Sequence, residues 1–490
     1  MVTIASFAEN SNILLTPDCT RIILRPFIPK SESQVINIIS RVMALPEDSV
    51  RNRLKAVLND FSDHHENIES VFLEHYEMVH SHLFTDLQLS KERKLLIGSY
   101  FTSEYSFESA ALFNPSIVPH PDQSDLPLGT LRFIMSLRAT GEGHISSLTF
   151  RTGTIDRNNH IIIDNLGKHT IPAMHVQNPL YDKRCFHMKL SEMELENDFS
   201  MCVLDLLKDT FTFSELTDNL NKVTFSSNRK KSQNDRLTSD KILWLALSNY
   251  ETELPASKAL SDFVIFPASP TEQNGIEDTR FVLFTDDDGR KTYYATYTAY
   301  DGKVILPQLL ETKDFYHFKM ITLNGKAVEN KGMALFPRRI NGKYAMLSRQ
   351  DNENLFLMYS DNIHFWHEAH LIMNPTYEWE FVQIGNCGSP IETDAGWIVL
   401  THGVGPVRRY CISAILLDRD DPTLIIGRLK EPLIIPNEIE MSGYVPNVVY
   451  TCGALIHNQN LMLPYAMSDH ITTIAIFDLK KLLNEFRTTK

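Results

Sequence analysis

A chain of 490 residues, 43% hydrophobic and 22% charged, has the balance of a folded protein with a large core, which argues against extensive disorder. A formal charge of -14 and an isoelectric point near 5.7 argue against a broad basic surface, and so against nucleic acid or an anionic membrane as partner. The six cysteines, Cys19, Cys185, Cys202, Cys387, Cys411 and Cys452, have no CxxC spacing and are expected to be free thiols.

The amino terminus, MVTIASFAENSNILL, lacks a basic segment leading into an apolar one, and no later run approaches the roughly 18 apolar residues of a membrane span. The expected location is the cytoplasm. From Pro46 to about Gly98 apolar residues recur at helical spacing: Leu54, Val57, Leu58 and Phe61, then Ile68, Val71, Phe72, Tyr76 and Val79. This predicts a helical module within residues 1–104. His64 and His65 precede Glu66 there, but no HExxH arrangement exists and exposed helix faces commonly carry histidine, so the reading is structural, with no metal.

After Phe113 the chain turns to short β-rich runs broken by tight turns. Asp288-Gly289, Asn341-Gly342 and Asp394-Ala395-Gly396 recur at positions 288, 341 and 394, 53 residues apart each time, and His457-Asn458 follows after a longer gap. An earlier copy lies in NPSIVPHPDQSDLPLGTLRFIMSLRAT. A strand-turn-strand repeat of this size predicts a mainly β fold, a five-bladed β-propeller over residues 105–490 with an α-helical N-terminal extension. Residues at inner-strand ends would then share one mouth of the channel. Between the first two blades, from about 170 to 255, the pattern lapses into candidate helices, DFSMCVLDLLKD and SDKILWLALSNY, around a basic run from Asn228 to Lys231. That run is read as a solvated loop and the insertion as a rim or oligomer contact.

The most specific stretch is Gly275-Ile276-Glu277-Asp278-Thr279-Arg280. Adjacent carboxylates on an extended strand face opposite ways, so one of Glu277 and Asp278 is expected at a site and the other in the structure; a salt bridge to Arg280 is the alternative for both. Arg349 ends the strand GKYAMLSR, His402 ends GWIVLTHG, and Arg408, Arg409 and Tyr410 follow. Taken alone, these also fit a paired strand-end arginine and a satisfied core histidine. Trp366, Trp379 and Trp397 are read as packing. Glu142 and His144 fit either a site lining or a blade-edge turn.

Through IEDTRF, ALFPRRINGKYAMLSR, TDAGWIVLTHGV, LLDRDDPTLIIGRLKEPLIIP and GYVPNVVYTCGALI, residues 105–485 resemble glycoside hydrolase family 130. The resemblance implies Asp278 as catalytic acid, Arg349 and His402 as phosphate contacts, and Asn114, Arg138 and Asp469 as sugar contacts; Arg408 and Tyr410, next to this basic set in sequence, are expected to add to the phosphate site, Arg408 and Arg409 pointing opposite ways if extended. Cleavage of a glycoside needs a proton for the leaving oxygen as an oxocarbenium-like transition state develops. An inverting hydrolase adds a second carboxylate to activate water, whereas a phosphorylase needs fixed cations to hold the phosphate nucleophile. The implied activity is an inverting phosphorylase splitting β-mannosides, β-1,2-linked manno-oligosaccharides among them, into α-mannose 1-phosphate. The partners are a mannoside and inorganic phosphate, with no cofactor or metal and a possible homo-oligomer. The alternatives are a β-mannosidase on the same fold and a non-catalytic glycan- or protein-binding propeller. Two departures from the family pattern stand out: Lys331-Gly332 where many members carry Lys-Asp, and Gln383 in place of a lysine.

Overall fold

A computed structural model describes residues 3–5, 8–83, 88–176, 178–226, 233–302, 305–436 and 444–486. The basic run from Asn228 to Lys231 lies outside the described residues. The fold is mainly β, with two helical groups. Four helices, Glu32–Met43, Glu47–Phe61, Ile68–Val79 and Lys91–Ser99, bury Val35, Ile39, Leu54, Phe72, Tyr76 and Leu96 in one apolar cluster. The first begins at Glu32, ahead of the expected Pro46, because Val35, Ile39 and Val42 already carry the helical period. The module is bracketed by strands Ile22–Pro26 and Thr102–Ser106, which pair antiparallel.

Five antiparallel meanders follow, joined at their flanks by extra strands. The first runs Ala111–Pro119, Leu131–Thr140, Ser146–Ile155 and Ile161–Ile163. The second runs Gly275–Thr285, Lys291–Tyr300, Ile305–Thr312 and His317–Thr322. The third runs Ala334–Leu335, Tyr344–Ser348, Leu355–Ser360 and Ala369–Met373. The fourth is built on Gln383–Asn386, Gly396–Val404, Tyr410–Leu417 and Ile425–Arg428. The fifth is built on Leu455–His457, Asn460–Met467 and Ile471–Asp478, and its outer strand comes from the other end of the chain: Ala8–Leu15 pairs with Ile471–Asp478.

The recurring turns stand at equivalent places. Asp288-Gly289, Asn341-Gly342, Asp394 to Gly396 and His457-Asn458 each connect the first and second strands of a meander. Gly289 and Gly342 have φ of 81° and 78°, the left-handed conformation that favours glycine in such hairpins.

The insertion has helices in both expected segments, Asp198–Asp205 over the first part of one and Gln233–Leu247 over most of the other, and two more, Lys183–Glu192 and Phe213–Ser226. They enclose their own cluster around Phe186, Leu204, Phe211 and Leu245. Strand Tyr250–Glu253 joins this group to the outer edge of the second meander by pairing with His317–Thr322. All six cysteines are free thiols. Among the described residues no helix is long and apolar enough to cross a membrane.

Candidate active site

At one end of the meanders a cavity of about 110 Å³ is lined by Asn114, Arg138, Asp278, Lys331, Arg349, Arg408, Tyr410, Val445, Val448, Tyr450 and Asp469. Each of the five meanders, or the loop entering it, contributes. Four lining residues hold left-handed backbone, Asn114 with φ 49°, Asp278 with φ 54°, Arg408 with φ 53° and Asp469 with φ 48°. Asn114 and Asp278 sit in register shifts of their strands, between Phe113 and Ser116 and between Glu277 and Arg280. A bulge inserts a residue into the ladder and re-aims its side chain. Asp278 lines the cavity and Glu277 does not, but the two carboxylates do not face opposite ways: Arg138 donates to Asp278 Oδ1 at 3.3 Å and to Glu277 Oε1 at 2.6 Å, so both reach one guanidinium.

Asp278 also accepts from Asn114 Nδ2 at 2.6 Å. Burial by itself raises its pKa, but Lys331, Arg138 and Arg280, with the Asn114 hydrogen bond, outweigh burial and hold the carboxyl well below the usual range. The other Asn114 amide atom, Oδ1, is buried without a protein partner and can accept from a ligand hydroxyl. Asp469 behaves oppositely. Burial raises it to about 6, Arg138 opposing and Asp278 adding to the rise.

Arg280 is fully buried and does not bridge its neighbouring carboxylates. It donates to the carbonyls of Gly332 and Asn386 and to Tyr450 Oη, which ties strands from four meanders together beneath the cavity. Gly332 makes room for this: its φ is 88°, and a Cβ there would lie 2.7 Å from Arg349 Nε and 3.2 Å from Arg280 Nη1. Arg349 donates from Nε to the Lys331 carbonyl at 3.2 Å.

His402 does not line the cavity. It is completely buried behind Arg349, with Nε2 3.3 Å from the Arg349 guanidinium and its ring stacked on Tyr410 at 5.7 Å between centroids. The strand continues past it to Val404, so it is not a strand end. Burial, then Arg349 and Arg280, push its pKa well down, so the ring is neutral. Gln383, with its amide oxygen toward them, accepts from Arg349 and from His402 Nε2 at 3.2 Å and donates to the Asn352 carbonyl at 3.3 Å. A neutral amide thus braces the two residues beside it.

Arg408 lines the cavity and Arg409 does not. Among the described residues, none of Lys331, Arg349 or Arg408 has a carboxylate oxygen within 4.0 Å. Glu142 and His144 lie outside the lining, in a short turn where His144 Nδ1 meets Tyr444 Oη at 2.6 Å. Trp366 and Trp397 are completely buried, and Trp379 stacks on Tyr377.

Sequence reasoning missed Lys331 and Tyr450 as lining residues. A signal for Lys331 existed in the repeat: Asp278 precedes its turn residue Asp288 by ten positions, and Lys331 precedes Asn341 by the same ten. Arg349 and His402 likewise follow Asn341 and Asp394 by eight.

Against known proteins, the model described as beta-1,4-mannooligosaccharide phosphorylase, that of glycoside hydrolase family 130, matches residues 255–488. A 1,2-beta-oligomannan phosphorylase of Thermoanaerobacter sp. (strain X514) is 33% identical over 225 residues, 44% of this chain and 73% of the relative. A beta-1,2-mannobiose phosphorylase of Listeria innocua is 32% identical over 223 residues, 44% of this chain and 61% of the relative. The solved structure of a beta-1,2-mannobiose phosphorylase from Listeria innocua in complex with beta-1,2-mannobiose is 20% identical, with a TM-score of 0.46, over 77% of this chain and 92% of that one. The chain belongs to glycoside hydrolase family 130.

Proposed function

We propose that this chain is an inverting mannoside phosphorylase acting on β-mannosides, β-1,2-linked manno-oligosaccharides foremost, with inorganic phosphate as second substrate and α-mannose 1-phosphate as product. The observation that carries the reading is the shared cavity: Asp278 lines it with Lys331, Arg349 and Arg408, three cations that have no carboxylate partner within 4.0 Å among the described residues. Fixed cations of this kind suit a dianion held in line with an anomeric carbon. Asp278 delivers the proton to the leaving oxygen, directly or through a sugar hydroxyl. Phosphate entering beside it offsets the cations that keep the carboxyl ionised, so nucleophile binding raises the proton affinity of the acid. His402 acts behind Arg349 as a positioning residue, and Tyr410 stacks on it. Asn114, Arg138 and Asp469 contact the sugar, since a polar group left unpaired in a buried site penalises the wrong hydroxyl pattern. The residues assigned here require no metal or cofactor. Relatives named oligomannan and mannobiose phosphorylases support the substrate class.

The five meanders are read as propeller blades over residues 105–490, following an N-terminal region 1–104. A second cavity, of about 350 Å³, supports this: Pro119, Leu283, Pro337, Ile391 and Leu455, one from each meander, line it. A cytoplasmic setting fits the reaction, because a sugar phosphate made there is retained, and self-association through the helical additions completes the reading.

A specific observation favours a second reading, hydrolysis. Asp469 is another carboxylate in the same cavity and has the elevated pKa a general base uses. The inward-facing cations weigh against it. Purified protein is incubated with β-1,2- and β-1,4-mannosides with and without phosphate, resolving free mannose from mannose 1-phosphate. The expected outcome is phosphate-dependent sugar phosphate, lost by at least ~10³-fold in Asp278→Asn. Free mannose irrespective of phosphate establishes the hydrolase, and no turnover of any mannoside removes both readings.

A further inference from the structure

Outside the active site, the connection between helices Glu47–Phe61 and Ile68–Val79 carries a convergence of donor atoms that the phosphorylase reading does not use. His65 Nε2 lies 2.8 Å and His64 Nδ1 3.1 Å from the same oxygen, Glu104 Oε1, on strand Thr102–Ser106. The three ligand atoms all lie within 4.8 Å of one another, the one such trio of histidine, cysteine and acidic side chains among the described residues. Glu66, the acidic neighbour in sequence, is turned away into an ion pair with Lys258 at 2.9 Å.

We propose that His64, His65 and Glu104 form a structural binding site for a divalent transition metal, zinc the best fit, fastening the connection between the second and third helices to the strand pair that closes the module. Two imidazoles and a carboxylate are zinc's ordinary ligand types. Bonds of about 2.0–2.2 Å in tetrahedral geometry set ligand atoms roughly 3.3 Å apart, so an ion enters once the two histidine-to-Glu104 separations open by a few tenths of an ångström and the imidazole nitrogens, within 4.8 Å of each other, settle at a similar distance. Exposure suits both retention and entry: the His65 side chain is 5% exposed, that of Glu104 32%, and that of His64, on the solvent side, 52%. Water or a neighbouring histidine completes the fourth position. A neighbouring histidine is His169, which donates from Nε2 to the carbonyl of Asp63, one residue before the pair, at 3.1 Å.

The placement gives the ion a task. The His64-His65 connection belongs to the helices, Glu104 to the strand that closes the module against Ile22–Pro26, and His169 and Lys258 to segments flanking the insertion. An ion bonded to both sides cross-links segments 39 residues apart in the chain. Its binding energy is available only to the assembled form, so it stabilises the junction rather than the chemistry.

The test uses untagged full-length protein stripped with a chelator. Zinc titration by calorimetry is expected to show one equivalent bound, raising the unfolding temperature by several degrees, reversed by chelator. Cobalt(II) is expected to give the visible absorption of a four- or five-coordinate nitrogen and oxygen site. His65→Gln and Glu104→Gln each weaken zinc binding at least ~10-fold, while phosphate-dependent mannoside cleavage is unchanged. Should the buried-residue variants fold poorly, His64→Gln on the half-exposed ring gives the same readout. Absence of one-equivalent zinc binding, or binding untouched by all three substitutions, overturns the proposal and leaves a carboxylate hydrogen-bonded by two histidines.

Discussion

Asp278 and Asp469 share a cavity yet are driven in opposite directions: cations on three sides keep the first ionised, and burial beside another carboxylate lifts the second to about 6. The Asp469 shift links to stability with a definite sign. A carboxyl whose folded pKa exceeds its unfolded value, here about 6 against 3.8, contributes fully only below the lower value and loses that contribution as pH rises through about 6. Two units correspond to roughly 3 kcal/mol at most, at about 1.4 kcal/mol per unit. Asp469→Asn is therefore expected to raise the unfolding temperature at pH 7.5, with the gain fading as pH falls below 6, while mannoside turnover drops. Thermal unfolding of both proteins between pH 4.5 and 8 checks it, and a pH-independent difference contradicts it. His402 shows how a correct residue type can sit differently from its reading. The strand carries it to the site, but its ring is neutral and enclosed between Arg349 and Tyr410. It packs against the cation instead of meeting the solvent.

At the scale of elements, bulges and turns aim the chemistry. Register shifts at Asn114 and Asp278 break the strand alternation that a pattern of residues implies, which is why Glu277 and Asp278 both reach Arg138. Gly332 does comparable work in the loop entering the third meander. Its φ of 88° and the 2.7 Å approach of Arg349 Nε leave no room for a side chain. Gly332→Ala is expected to cost ~1–3 kcal/mol of stability and to raise the KM for phosphate more than the KM for the mannoside, measured with each substrate varied in turn. Equal shifts in both would mean that the glycine supports the fold without aiming the cation. The repeated turns were legible because Asp-Gly and Asn-Gly between strands have few other uses. The insertion's full set of helices was less so: Lys183–Glu192 is mostly polar, and its buried face of Phe186, Lys189 and Leu190 exists only against the neighbouring helices and, at Lys189, against Asn249 and Thr322.

At the scale of the whole molecule, the chain's two ends meet in one sheet, Ala8–Leu15 lying beside Ile471–Asp478. Deleting residues 1–16 leaves the fifth meander with an unpaired edge and opens its packing. The expected loss is comparable to the ~5–15 kcal/mol that holds a domain folded. The truncated protein should lose its cooperative melting transition and aggregate; a variant that melts near the parent temperature would show that the closing strand is dispensable.

By itself the sequence determined the mainly β class, the 53-residue spacing of the turns, the helical character of the module and the insertion, and the family through its ordered motifs. These properties are local or periodic, and neighbouring residues suffice to express them. Only the tertiary structure decided that Lys331 and Tyr450 join Asp278 in one cavity, that His402 stands behind Arg349, that Gln383 braces both, and that His64 and His65 meet Glu104 rather than Glu66. Each of these depends on bulges, left-handed residues and contacts between segments tens to hundreds of positions apart, and so on packing that no single stretch of chain encodes.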